Sequence, residues 1–195
     1  MGVRTFIGIA LPLLVRQALG AAQHAMRETS PAWRNEKWVA EENLHVTLKF
    51  LGSLPTELVV EASDALTNAA AILPPFQLRV GEIVAVPRTR SATMLWGRLE
   101  QGMDAAVELA HELDAALAAV GFPAETRPFK PHITLVRARG ARRVTFETLD
   151  AGNHVIFTTN DRAKRMSVCG VTLFSSTLTP HGPVYEKRAF APFAE

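Results

Sequence analysis

Apolar residues along this chain recur with two periods, and the switches between them outline the elements. Phe6-Ile7-Gly8-Ile9-Ala10 predicts a buried strand within residues 3–11, closed by Pro12. Residues 12–28 change to a helical period, with Leu13, Leu14, Ala18 and Ala22 on one side. Pro31 and the polar stretch around Asn35 make a connection, and Trp38-Val39 and Leu44 to Leu51 return to strand patterning. Pro55-Thr56 opens a second helix that reaches about Ile72 before Pro74-Pro75 stops it. Strand patterning resumes from Phe76 to Val86 and from Thr93 to Leu99, with a polar, basic loop between them. The clearest helix covers 103–120, with Met103, Val107, Ala110, Leu113, Leu117 and Val120 as its apolar stripe and Gly121 at its end. Beyond Pro131, strands are expected at 132–137, 144–148, 153–157, 166–174 and 184–190. Grouped strands with about three helices between them favour an α+β fold with mainly antiparallel sheets over a doubly wound parallel sheet. No linker separates independent units, so residues 1–195 read as one domain, or two closely joined lobes.

Composition narrows this picture only a little. With 48% hydrophobic and 21% charged residues, the chain can bury a real core and is not expected to be disordered. A net charge of +2 neither requires nor excludes a polyanionic partner. The cluster Arg137, Arg139, Arg142 and Arg143 says more; it is a solvated loop unless an anion site lies beside it. Cys169, the only cysteine, sits in an apolar run and reads as a small buried hydrophobe, and a chain without disulfides suits a reducing compartment. Arg4 followed by apolar residues to Val15 imitates a signal peptide, but Pro12 interrupts it, so a cytoplasmic location is expected. No run approaches the ~20 apolar residues of a membrane span. A monomer is expected, since nothing suggests an obligate assembly.

One internal echo carries the chemistry. Leu44-His45-Val46-Thr47-Leu48 is repeated as Pro131-His132-Ile133-Thr134-Leu135. In a strand, His45 and Thr47 point to one face and Val46 to the other, and the same holds for His132, Thr134 and Ile133. Two such strands across a pseudo-twofold axis line a cleft with two imidazoles and two hydroxyls. That set suits attack on a phosphodiester: one neutral histidine takes a proton from water, one protonated histidine gives a proton to the leaving alkoxide, and the threonines hold phosphoryl oxygens. A single His-x-Thr is usually structural; two copies with matching flanks are far more specific. A zinc site explains the pattern less well, because His24, His111, His154 and His181 offer no ligand-spaced pair and read as surface residues. No metal or other cofactor is expected.

These motifs resemble those of the two-histidine phosphoesterases, in particular the RNA 2′,3′-cyclic phosphodiesterases long called 2′-5′ RNA ligases. The likeness runs through Arg4-Thr5-Phe6-Ile7-Gly8-Ile9-Ala10-Leu11-Pro12, Asn43 to Gly52, Leu95-Trp96, Pro131 to Arg137, and Gly182-Pro183 with Tyr185. The resemblance implies a bilobal, pseudo-symmetric fold, with two antiparallel sheets facing a central cleft and helices outside. It implies hydrolysis of an RNA-terminal 2′,3′-cyclic phosphate to a 2′-phosphomonoester, with His45 and His132 as the acid–base pair. His132 would activate water and His45 would protonate the leaving 3′-oxygen. Thr47, Thr134 and Arg137 would bind phosphoryl oxygens, and Phe50 would stack a nucleobase. Arg88 and Arg90 are further candidate cleft cations. Small cyclic nucleotides as substrates, 2′-5′ ligation as the reverse reaction, and a non-catalytic RNA or nucleotide binder remain alternatives. Phe50 and Arg137 each lie five residues after their histidine, on the wrong face of an ideal strand. They reach the cleft only if the strand ends, twists or bulges before them.

Overall fold

The computed structural model describes residues 2–180 and 182–194, with the side chain of Thr56 excepted. His181 therefore lies outside the described residues. The strands are β1 (Val3–Ala10), β2 (Lys37–Trp38), β3 (His45–Leu54), β4 (Phe76–Val86), β5 (Ala92–Gln101), β6 (His132–Arg142), β7 (Arg165–Val168), β8 (Gly170–Thr179) and β9 (Gly182–Pro192). The helices are α1 (Leu13–Thr29), α2 (Thr56–Ala70), α3 (Met103–Ala119) and α4 (Phe146–Thr158). No helix among the described residues is long and apolar enough to cross a membrane.

The fold is α+β, and among the described residues the strands pair antiparallel in the order β7-β4-β5-β6-β3-β1-β8-β9, with β2 added on β6. The two halves of this sheet are joined at its centre by one residue pair, Val46 opposite Ile133. Beyond that rung β3 and β6 diverge, and β2 takes the vacated place beside β6. Helices α2 and α3 pack behind the β3-β1-β8-β9 half, while α1 and α4 pack on each other behind the β6-β5-β4-β7 half. The core lies between sheet and helices, with Leu19, Met26, Leu66, Leu95, Leu113 and Ile133 fully buried.

Several helical faces are rotated from their sequence reading. In α1, Val15, Ala18, Leu19, Ala22 and Met26 face the core, and Leu13 and Leu14 are exposed. In α3 the buried line is Ala106, Leu109, Ala110, Leu113 and Leu117, while Met103, Val107 and Val120 are exposed. Residues 144–148 and 153–157, expected as strands, belong largely to one helix, α4, so there are four helices among the described residues rather than three. The Thr145 hydroxyl caps α4 by accepting from the Thr148 amide at 3.3 Å. Thr148, Gly152 and Ile156 form its buried line. Asn153 clamps β4, accepting from the Ile83 amide at 2.6 Å and donating to the Ile83 carbonyl at 3.2 Å. At Gly152 a Cβ would come within 2.8 Å of the Met26 side chain, so the glycine marks helix packing and not a turn. Cys169 is exposed and not buried, because it forms the corner between β7 and β8.

Candidate active site

The central rung places both motifs on one face. With Val46 opposite Ile133 in an antiparallel pair, Thr134 lies beside His45 and His132 beside Thr47. The four polar side chains are half-buried, whereas Val46, Leu48, Ile133 and Leu135 are buried on the other face.

The same irregularity then occurs in both strands. Along β3, Thr47 pairs with Gly8 and Lys49 with Ile7, leaving Leu48 unpaired. Along β6, Thr134 pairs with Trp96 and Val136 with Leu95, leaving Leu135 unpaired. Each is a one-residue bulge that reverses the alternation. Leu48 and Lys49 are both buried, as are Leu135 and Val136, and Phe50 and Arg137 emerge on the exposed cleft face. The bulge needed to bring these two residues to the cleft is thus present in both copies. A helix-borne polar group steadies each one. Gln23 of α1 donates to the Leu135 carbonyl at 2.9 Å, and the buried Lys49 forms an ion pair with the half-buried Asp114 of α3.

Both imidazoles are held alike at one nitrogen. Nδ1 of His45 lies 2.7 Å from the Asn43 carbonyl, and Nδ1 of His132 lies 2.7 Å from the Lys130 carbonyl. A carbonyl only accepts, so each Nδ1 carries its proton and each neutral ring keeps its lone pair on Nε2. The Thr47 hydroxyl sits 2.8 Å from Nε2 of His45. Burial lowers the His45 pKa from the ordinary 6.5; the positive charges of Arg137 and His132 push the same way, and the Asn43 bond opposes them. Burial also lowers the His132 pKa, reinforced by Arg137 and opposed by the Lys130 bond.

The walls differ. Phe6 stands 4.8 Å from the His45 ring and Tyr185 meets that ring edge-on at 5.4 Å, with Phe174 and Phe50 flanking Phe6 at 5.0 and 6.1 Å. Phe50 is 62% exposed, which leaves its ring open for stacking. On the other side Trp96 stacks on His132 at 3.7 Å. Arg137 reaches Met94 Sδ at 3.0 Å and Thr134 Oγ1 at 3.5 Å. Burial raises the Tyr185 phenol pKa, while Arg137 and Arg4 pull it down, so both cations lie in electrical reach of this wall. Sequence patterning alone does not assign Trp96, Tyr185 or Arg4 to the site. Only the strand register puts Trp96 beside Thr134 and Arg4 in one row with Ser176 and Tyr185.

Other expected cations go elsewhere. Arg88 and Arg90 line a separate depression with Thr89 and Ser91, and Arg88 Nε donates to Ser91 Oγ at 3.0 Å. Arg142 pairs with the buried Glu36 at 2.5 Å, and Glu36 also accepts from the Arg139 amide at 2.7 Å, so these two residues tie β6 to the preceding connection. Among the described residues, no group of three or more His, Cys, Asp or Glu is placed to hold a metal ion.

Comparison with known proteins identifies the family. Residues 15–96 and 99–185 match the family described as LigT-like phosphoesterases. The RNA 2′,3′-cyclic phosphodiesterase of Thermus thermophilus is 32% identical over 194 residues, covering 94% of this chain and 86% of that one. Its counterpart from Thermotoga maritima is 30% identical over 185 residues, covering 94% and 92%. Among solved structures, TT0787 of Thermus thermophilus superposes with a TM-score of 0.75 at 29% identity, over 97% of both chains. E. coli LigT in its apo form superposes with a TM-score of 0.73 at 25% identity, over 100% of this chain and 99% of that one.

Proposed function

The chain belongs to the LigT-like phosphoesterases, and from that premise we propose that it hydrolyses the 2′,3′-cyclic phosphate at an RNA end to a 2′-phosphomonoester. The observation that carries this reading is the twin motif. Two imidazoles on one face each have Nδ1 tied to a carbonyl, which leaves two Nε2 atoms for the two proton transfers the reaction needs. Water attacks phosphorus while Nε2 of neutral His132 takes its proton. The bond from phosphorus to O3′ breaks, and protonated His45 delivers its Nε2 proton to O3′. Thr47, Thr134 and Arg137 donate to the non-bridging oxygens, with Arg137 the only full charge among them. The Thr47 hydroxyl, now directed at His45, turns to the phosphate when substrate arrives. Phe50 stacks the terminal base. The assignment of acid and base follows the family resemblance.

The test is product analysis with a short RNA ending in a 2′,3′-cyclic phosphate, incubated with excess EDTA and read by ³¹P NMR. We expect a single 2′-phosphomonoester. An unreacted cyclic end would sink the proposal, and a 3′-phosphomonoester would make O2′ the leaving group.

A further inference from the structure

A second concavity borders His45 but not His132, and the mechanism above does not use it. It holds about 210 Å³, roughly seven waters' worth of space, and is lined by Arg16, Glu42, Asn43, His45, Tyr185 and Lys187 among others. His45 is therefore shared, with one edge toward Thr47 and the twin motif and the ring also bordering this cavity.

The polar groups here are incompletely matched. Arg16 Nε is buried with no hydrogen-bond partner among the described residues, and Arg16 Nη1 makes only a long, 3.5 Å bond to the Glu42 carbonyl. A buried guanidinium nitrogen left unpaired is costly, and the usual remedy is an anion or water. Lys187 lines the cavity from β9, opposite Phe174 in the β8–β9 register, and makes no ion pair among the described residues. The Asn43 side-chain amide is already committed to the Pro183 carbonyl at 2.7 Å. Ala10 and Leu11 also line the cavity and lead into α1, whose first turn has neither a side-chain cap nor an acidic residue. The partial positive charge of that helix end adds to the two cations, which together outweigh the single carboxylate of Glu42 in the lining. The Arg88–Ser91 depression offers cations too, but its lining includes neither histidine.

Resting on the proposed function, we infer that this cavity binds the phosphate on the 5′ oxygen of the terminal nucleoside. A nucleotide whose cyclic phosphate sits at Nε2 of His45 carries its 5′ phosphate one sugar away, on the far side of the same ring. The ligand chemistry is a phosphate ester paired with Arg16 and Lys187. It is supplied either by a free 5′-monophosphate or by the linkage to the preceding nucleotide. The site would thereby favour an RNA end over a bare nucleoside cyclic phosphate.

The experiment compares kcat/KM for three substrates: a nucleoside 2′,3′-cyclic phosphate, its 5′-phosphorylated form, and a dinucleotide with the same cyclic end and a 5′-hydroxyl. We expect the second and third to exceed the first by about tenfold to a hundredfold, the range of one charge-assisted hydrogen bond. The ratio to the first substrate should fall toward one in Lys187→Gln and in Arg16→Gln. Because each ratio is taken within one protein, a variant that folds less well still reports it. A ratio near one in the unaltered protein, or a high ratio that survives both substitutions, overturns the subsite. A gain with the dinucleotide alone overturns it as well, since a neighbouring base and not the phosphate would then be recognised. Failure to cleave any of the three overturns the proposed function instead, and the subsite with it.

Discussion

The two halves of the sheet share a backbone and differ in their side chains. Each runs outward from the central rung with a His-x-Thr, a one-residue bulge and a helix-borne anchor at that bulge. The positions correspond one to one: Gly8 opposite Thr47 matches Trp96 opposite Thr134, and Phe6 opposite Phe50 matches Met94 opposite Arg137. On the first side the occupants make an aromatic wall around His45. On the second, one indole lies under His132 and a guanidinium takes the place of the open phenyl ring. Under the proposed function, the repeated backbone would supply two equivalent proton-transfer positions, and the differences around them would supply direction, with a stacking surface on one flank and an anion clamp on the other.

Removing either imidazole should erase the symmetric part. We expect His45→Ala and His132→Ala each to lower kcat by about 10²–10⁴ on RNA with a cyclic end. A variant near full activity would show that the motifs do not act as a pair. A substrate with a good leaving group should rescue only the His45 variant, because such a group needs no acid; rescue of the His132 variant alone would exchange the two roles.

Arg137→Gln tests the asymmetric part. It should cost about tenfold to a hundredfold in kcat/KM, the worth of one charge-assisted hydrogen bond. Since Arg137 depresses both imidazoles, its loss should also raise both histidine titrations in an NMR experiment. An unchanged titration would place its charge outside the site. Phe50→Ala should raise KM about fivefold or more through lost base stacking, with kcat little altered. A fall in kcat instead would make Phe50 part of the reacting geometry.

The smallest effects follow from pH. The imidazoles of the free protein titrate below 6.5, so the singly protonated pair is most populated below that pH, and kcat/KM should peak there with limbs belonging to the pair. Stability carries the same sign. The unfolded chain binds protons near 6.5 and the folded chain only below it, so this contribution is full above 6.5 and is lost as pH falls through the folded values. Urea midpoints in His45→Asn with His132→Asn should show a flatter dependence in that window; an identical slope would refute the depressed titrations.

What the sequence revealed and what it hid follow from distance along the chain. The alternation of His45 with Thr47 and of His132 with Thr134 is local, so the shared face could be read directly. The bulges were legible only as a requirement, because the residues left unpaired, Leu48 and Leu135, are defined by partners about 40 residues away in β1 and β5. Trp96, Tyr185 and Arg4 join the site through register alone. Residues 144–157 misled because Val155, Ile156 and Phe157 favour strands locally, while packing of Gly152 against Met26 and the Asn153 clamp on Ile83 decide for a helix. The stripes of α1 and α3 were misplaced for a related reason: both helices are apolar on more than one side, and only the sheet beneath them selects which side is covered.

The order of elements in the sheet has a consequence for how the molecule could be divided. Residues 1–101 contribute β1 and β3 to one half of the sheet and β2, β4 and β5 to the other, and the rest of the chain is shared out in the same way. Helix α1 follows a strand of the first half yet lies under the second, and α3 follows a strand of the second yet lies under the first. A gene cut between the two motifs would therefore encode two interlocking pieces, not two enzymes' halves, and neither product would own a finished wall of the cleft.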